Sequence, residues 1–330
     1  MQRLKRRVFF GLSSGATVAW PLRVGAQKSP ARIGVLFAGS ADSRLSKARL
    51  AAINEGLRAN GMVEGRDFVL EARFANGRYE RFPDLADELA RAGARIILVH
   101  TIAAVRAAQR LVPPLPVVMM AINDPVGTGL IASLARPGGT TTGQATLNED
   151  TTPKMLEFLR TIVPEAKVVG ILFNPGNPSN PTMVDSIRTR IGTMGMTVQA
   201  AAVRFPEDLD TALATLAATK PDALLLLPDA ANLDLADRIA AFAIEHRLPF
   251  LISWPEVVDF GGLLGYGASE RKLLLRTGYY VKRILDGANP ADLPVEQPTE
   301  IELRLNARTA RAIGLTFPPT MLARADDVIE

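Results

Sequence analysis

The 330-residue chain predicts an α/β protein of two doubly wound, parallel-sheet, Rossmann-like lobes, and three observations carry that prediction. First, strand-like segments recur in the same order. Residues 33–37 before a small polar run at 38–43 are echoed by residues 169–173 before 174–179. Residues 96–99 ending in His100 are echoed by 224–227 ending in Pro228-Asp229, and 115–118 by 248–251. A near-constant separation of 128 to 136 residues indicates one α/β unit present twice rather than a short-period solenoid. Second, the hydrophobic period between strands is helical: Leu45, Ala48, Ala52, Ile53 and Leu57 share a face, as do Leu156, Leu159 and Val163, and Leu209, Leu213 and Leu216. Third, the strands are short and almost wholly apolar, which marks parallel sheets covered by helices on both faces.

From the N-terminus, Arg3, Lys5, Arg6 and Arg7 precede a mildly apolar stretch and the small residues Val24-Gly25-Ala26, the pattern of an export signal over residues 1–26. Arg6-Arg7 before Val8-Phe9-Phe10 resembles a twin-arginine address, with a Sec signal as the alternative. The whole chain carries a formal charge of +4, but all five basic residues before Gln27 would leave with the signal. The remaining 33 basic and 34 acidic residues are close to neutral, which removes the electrostatic case for a nucleic-acid partner. No later apolar run reaches the ~20 residues of a membrane span. The absence of cysteine excludes disulfides, thiolate metal sites and a lipidated cysteine anchor.

The two copies predict an N-terminal lobe of residues 31–146 and a C-terminal lobe of residues 147–263. The tail adds a segment at 262–267, a long helix from about 269 to 285, a Pro-rich stretch at 289–298, a strand at 301–305 and a helix from Asn306. An extra strand and helix suggest a chain that returns to the first lobe with about 264–288 and crosses back with about 289–330.

The run Asn123-Asp124-Pro125-Val126-Gly127-Thr128-Gly129-Leu130, followed by Ser133-Leu134-Ala135-Arg136-Pro137-Gly138-Gly139 and Thr142-Gly143, resembles the ABC-transporter substrate-binding family. Residues 169–180, the helix end Ile284-Leu285-Asp286-Gly287 and the later Ala312-Ile313-Gly314-Leu315 are similar to it as well. The resemblance implies a type I periplasmic binding protein fold with three crossings between the lobes and a ligand cleft at the hinge. With the export signal and no cysteine to anchor, the protein is expected free in the periplasm as a monomer, partnered by an inner-membrane ABC permease. A small molecule is the implied cargo, some family members handling aromatic amino acids, and no cofactor is expected.

Elementary physics places a site in the same region, because ligands of open α/β sheets bind beyond the carboxyl ends of the strands. The candidates are Ser40, Ser43, His100, Thr101, Asn123, Asp124, Asn174, Ser179, Asn180, Asp229, Trp254 and Tyr266. Each has a structural alternative: helix capping for Ser40, Ser43, Thr101 and Asp229, a turn for Asn123 and Asp124, lobe packing for Trp254 and Tyr266, and a local hydrogen-bond network for His100. His246 is read as an exposed helix residue. In the favoured ligand, an amino acid or related organic acid, the carboxylate would meet helix N-termini near residues 40–43 or 179–180. The ammonium would meet Asp124 or Asp229.

Enzymatic alternatives fare poorly. Gly11-Leu12-Ser13-Ser14-Gly15 has the spacing of a nucleophile elbow but lies inside the signal, with no strand before it. No dinucleotide fingerprint, Walker loop or zinc-protease motif occurs, and two histidines without cysteine leave transition metals short of ligands. A Rossmann-like enzyme using Asp124 and Asp229 across the cleft stays open, as does a ligand sensor feeding a receptor.

Overall fold

The computed structural model describes residues 29–330. The expected export signal lies outside the described residues. In chain order the first lobe runs β1 (Ala31–Phe37), α1 (Arg44–Ala59), β2 (Phe68–Phe74), α2 (Phe82–Arg91), β3 (Ile96–Val99), α3 (Ile102–Ala108), β4 (Val117–Asn123) and β5 (Thr141–Thr146). Its sheet is ordered β2-β1-β3-β4-β5 and is parallel throughout. Strands β1, β3 and β4 are buried along nearly their whole length, which is why they read as continuous apolar runs.

The second lobe follows with α4 (Asn148–Ile162), β6 (Val168–Phe173), α5 (Ser179–Gly192), β7 (Thr197–Ala202), α6 (Leu209–Ala218), β8 (Ala223–Leu226), α7 (Ala236–Glu245), β9 (Phe250–Ile252) and β10 (Leu264–Gly267). Helix α8 (Glu270–Leu285) then packs against α1, β4 and β5 of the first lobe. The chain ends with β11 (Glu302–Asn306), α9 (Ala307–Ala312), α10 (Pro319–Leu322) and β12 (Asp327–Ile329). The second sheet is ordered β12-β11-β10-β9-β8-β6-β7, with β10 and β11 antiparallel.

Two boundaries differ from the sequence expectation. Residues 264–267 pair with β9 and β11, so the crossing back to the first lobe falls after Gly267 rather than near residue 264. The Pro-rich stretch from 289 stays with the first lobe until about residue 296. There Thr142 Oγ1 donates to Leu293 O at 2.7 Å, Glu296 N to Gly143 O at 3.0 Å, and Ala145 N to Glu296 O at 2.8 Å. A four-residue strand carries too little periodicity to choose between sheets, and its partner β11 lies far along the chain.

Local chemistry sets several helix starts, two of them, at Ser43 and Thr101, at the carboxyl ends of first-lobe strands. Ser43 Oγ accepts from Ser46 N at 2.9 Å, Thr101 Oγ1 from Ala104 N at 3.0 Å, and Asn306 Oδ1 from Thr309 N at 2.8 Å. Such caps stabilise a helix by about 1 kcal/mol each. The face predicted for α1 is mostly confirmed, since Leu45, Ala52, Ile53 and Leu57 are buried. Ala48 is exposed, and Arg49 is buried in its stead at 1% exposure. Among the described residues no helix is long and apolar enough to cross a membrane.

Candidate functional site

The carboxyl ends of the two sheets face each other across one cavity, which holds about 760 Å³ of empty space including its mouth. Its wall comes from both lobes. His100, Thr101 and Asn123 follow β3 and end β4, whereas Ser179, Asp229 and Trp254 follow β6, β8 and β9. Those six predicted residues are therefore brought together.

The other six are placed elsewhere. Ser40 offers its backbone N–H to Asp234 Oδ2 at 3.1 Å, and Ser43 caps α1; both sit at the lobe contact beside the cavity. Asp124 turns the chain after β4 with φ +40°, and its Oδ1 accepts from Gly127 N at 2.8 Å. It lines an adjacent opening with Glu149 rather than the main cavity. Burial, and then the Asp124 charge, hold the Glu149 carboxyl above its ordinary value. Asn174 and Asn180 are buried behind the wall, where Asn180 Oδ1 accepts from Asn174 N at 2.9 Å. Tyr266 packs edge-on against Phe158, their ring centres 5.1 Å apart, inside the second lobe.

Asp229 has a structural role that sequence reasoning only half anticipated. Its Oδ1 accepts from Asn174 Nδ2 at 3.0 Å and from the backbone N–H of Ala231 and Asn232, both at 3.1 Å, as the capping alternative required. Its Oδ2 accepts from Asn177 Nδ2 at 3.0 Å and from Tyr79 Oη at 2.7 Å. Tyr79 belongs to the first lobe, so this bond spans the cleft. Burial, then the Asp229 charge, raise the Tyr79 phenol well above its usual range, so it remains a donor. With five donors on two oxygens, Asp229 has little capacity left for a ligand or for proton transfer.

Three groups escaped sequence reasoning. Tyr79 follows β2, a strand end that contributes none of the candidates. Asn177 lay inside the polar run after β6 without being singled out. Glu270, the first residue of α8, falls at the start of the helix expected from about 269 to 285 without being marked as a site residue, and it lines the cavity at 8% exposure. Its Oε1 lies 3.0 Å from Arg49 Nε, 2.8 Å from Arg49 Nη2 and 2.8 Å from His100 Nε2. Burial would raise this carboxyl, but the charge of Arg49, and then the contact with His100, draw it down to about 2. Behind it, burial and then the Glu270 charge push Glu256 up to about 7. Ser269 Oγ donates to Glu256 Oε1 at 2.8 Å.

The wall also carries unused donors. Trp254 Nε1 and Asn123 Nδ2 are buried with no hydrogen-bond partner, and Trp254 is only 5% exposed. Met183, Leu233 and Leu273 supply an apolar part. No Lys or Arg side chain lines the cavity among the described residues. Such a site can bury an apolar body while satisfying a few polar groups at defined positions.

Two α/β lobes closing on a shared cavity define a binding protein of the type I periplasmic class, and comparison with known proteins agrees. Residues 32–329 match the model of the ABC transporter substrate binding protein family, and the chain belongs to that family. A tyrosine-binding protein of Clostridioides difficile is 25% identical over 271 residues, spanning 82% of this chain and 77% of that protein. The structure of an ABC domain in complex with L-Trp from Streptococcus pneumoniae superposes with a TM-score of 0.80 at 25% identity, covering 91% of this chain and 100% of the other. A ligand-free, open substrate binding protein with adhesive properties from Clostridium difficile gives 0.61 at 21% identity, over 91% of this chain and 99% of that one.

Proposed function

We propose that this chain is the periplasmic solute-binding component of an ABC importer and that it closes its lobes around an amino acid. The observation that carries the reading is the cavity between the lobes, which combines apolar wall with unpartnered buried donors. A buried donor left unpaired costs about 1–3 kcal/mol, so a ligand that satisfies it gains affinity and selectivity together. Relatives named for tyrosine and solved with L-Trp support an amino acid, with an aromatic side chain favoured.

The mechanism is a population shift. Ligand contacts to His100, Thr101 and Asn123 on one lobe, and to Ser179 and Trp254 on the other, exist together only when the lobes meet. The bound ligand thereby holds the closed shape that a permease reads. Residues 1–26 supply the export address in this reading.

The test is a thermal-shift panel on the chain from Gln27, using the twenty amino acids with sugars, nucleosides and aromatic acids beside them. A ligand at 100 times its Kd adds about 2.7 kcal/mol of stability. Stabilisation by a sugar or nucleoside, with no response to any amino acid, overturns the assignment. Mass spectrometry of the exported protein, expected to begin at Gln27, tests the address.

A further inference from the structure

We propose that Glu270 is the group that receives the ligand's ammonium, so that the cavity selects an α-amino acid over its deaminated counterpart. The inference rests on the reading of the cavity as the ligand site and deepens it. Two carboxylates line that cavity, Asp229 and Glu270. The first is consumed by its five donors. The second is arranged differently: Arg49 and His100 both converge on Oε1, and no donor among the described residues is bonded to Oε2.

Arg49 sits behind Glu270, away from the lining, at 1% exposure, and fixes the carboxylate from the rear. The Arg49–Glu270 pair is neutral as a unit, so a zwitterion adds no net charge to the buried site. Its carboxylate can then turn to the neutral donor Trp254 Nε1, which has no partner within the protein, whereas Asn123 stands beside the Glu149 carboxyl. One ionised acceptor and one unpaired donor match the head group of an α-amino acid. Glu270 is also the first residue of α8, directly after the crossing at Ala268-Ser269. An ammonium held there attaches the ligand to the hinge itself.

The experiment is calorimetry with each amino acid that binds, paired with its deamino acid: L-tryptophan with indole-3-propionate, L-tyrosine with 3-(4-hydroxyphenyl)propionate. The wild type should prefer the amine, and Glu270→Gln should weaken the amine arm by about ten- to hundredfold, the range of a charge-assisted hydrogen bond, while the deamino arm, now beside an uncompensated Arg49, is not weakened. A residue that only braces Arg49 would weaken both arms alike, and that result overturns the proposal. So does a wild type that binds both partners equally. Should Glu270→Gln fail to fold by circular dichroism, Glu270→Asp keeps the charge beside Arg49 but shortens the reach. It should lose on the amine arm only, and an unchanged ratio overturns the assignment. Collapse of the ratio in Asp229→Asn but in neither Glu270 variant moves the ammonium to Asp229. Ser179→Trp, which fills the cavity, should abolish all binding. A wild type that binds no amino acid, or a Ser179→Trp variant that still binds one, refutes the cavity reading itself.

Discussion

Tyr79 and Glu256 show how single side chains couple the lobes to solution conditions. The Tyr79 hydroxyl joins Asp229 only when the lobes touch, so its loss should register in ligand affinity more than in folding. Tyr79→Phe removes one charge-assisted hydrogen bond, nominally about 1.5–3 kcal/mol, but Asp229 keeps four donors. We expect affinity to fall by up to about tenfold, measured by calorimetry, with little change in the melting temperature of the ligand-free chain. The two glutamates impose opposite pH slopes. Glu270, held near 2 in the fold against an ordinary 4.5, contributes stability that is present above about pH 4.5 and lost as the pH falls toward 2. Glu256, raised to about 7, stays protonated in the fold at mildly acid pH, where the unfolded chain has ionised it. Its contribution is complete below about pH 4.5 and lost as the pH rises through 7. The slope on that alkaline side is at most about 1.4 kcal/mol per pH unit. Glu256→Gln should flatten the decline in melting temperature between pH 5 and 8 and leave the acid limb in place.

At the scale of elements, the contact of α1 with α8 fastens the long helix to the first lobe. The two helices approach so closely at Gly56 and Gly278 that a Cβ on Gly278 would lie 2.1 Å from Gly56 O, and one on Gly56 would lie 2.3 Å from Leu275 O. Both clashes are with backbone, which cannot step aside as a flexible side chain can. Gly278→Ala should therefore destabilise by about 1–3 kcal/mol in denaturant unfolding. Gly192→Ala, at the end of α5 with open space around it, should change stability by no more than about 1 kcal/mol and in the favourable direction. Equal effects at the two positions would show that helix propensity, rather than this contact, governs the outcome. The same packing explains why Arg49 rather than Ala48 turns inward. Glu270 opens α8, and a guanidinium with such a partner tolerates burial that an unpaired one would not.

For the whole molecule, closure brings together the edges remote from the three crossings. There Arg78 of the first lobe lies over the Phe205 ring at 4.6 Å and pairs with Glu207 at 2.5 Å. Both side chains are exposed, so the pair itself contributes only about 0–1 kcal/mol. Reversing its sign is a sharper probe. In Arg78→Glu, like charges face each other only in the closed form, and ligand affinity should fall by about tenfold, recovering at high salt. Small-angle scattering should show a larger radius of gyration for the ligand-free variant than for the wild type.

Composition, the duplicated strands and the helical period were enough to specify two parallel-sheet lobes and a polar rim between them. Those features are local or repeat along the chain, and burial on both faces of a parallel sheet writes itself into short apolar runs. Half of the proposed site residues were likewise legible, as polar groups just past strand ends. Hidden from sequence were the sheet that Leu264–Gly267 joins, the saturation of Asp229, and the burial of Arg49 against Glu270 across 221 residues. Each depends on a partner distant in the chain, and a carboxylate's capacity for one more donor is settled only when the others are in place.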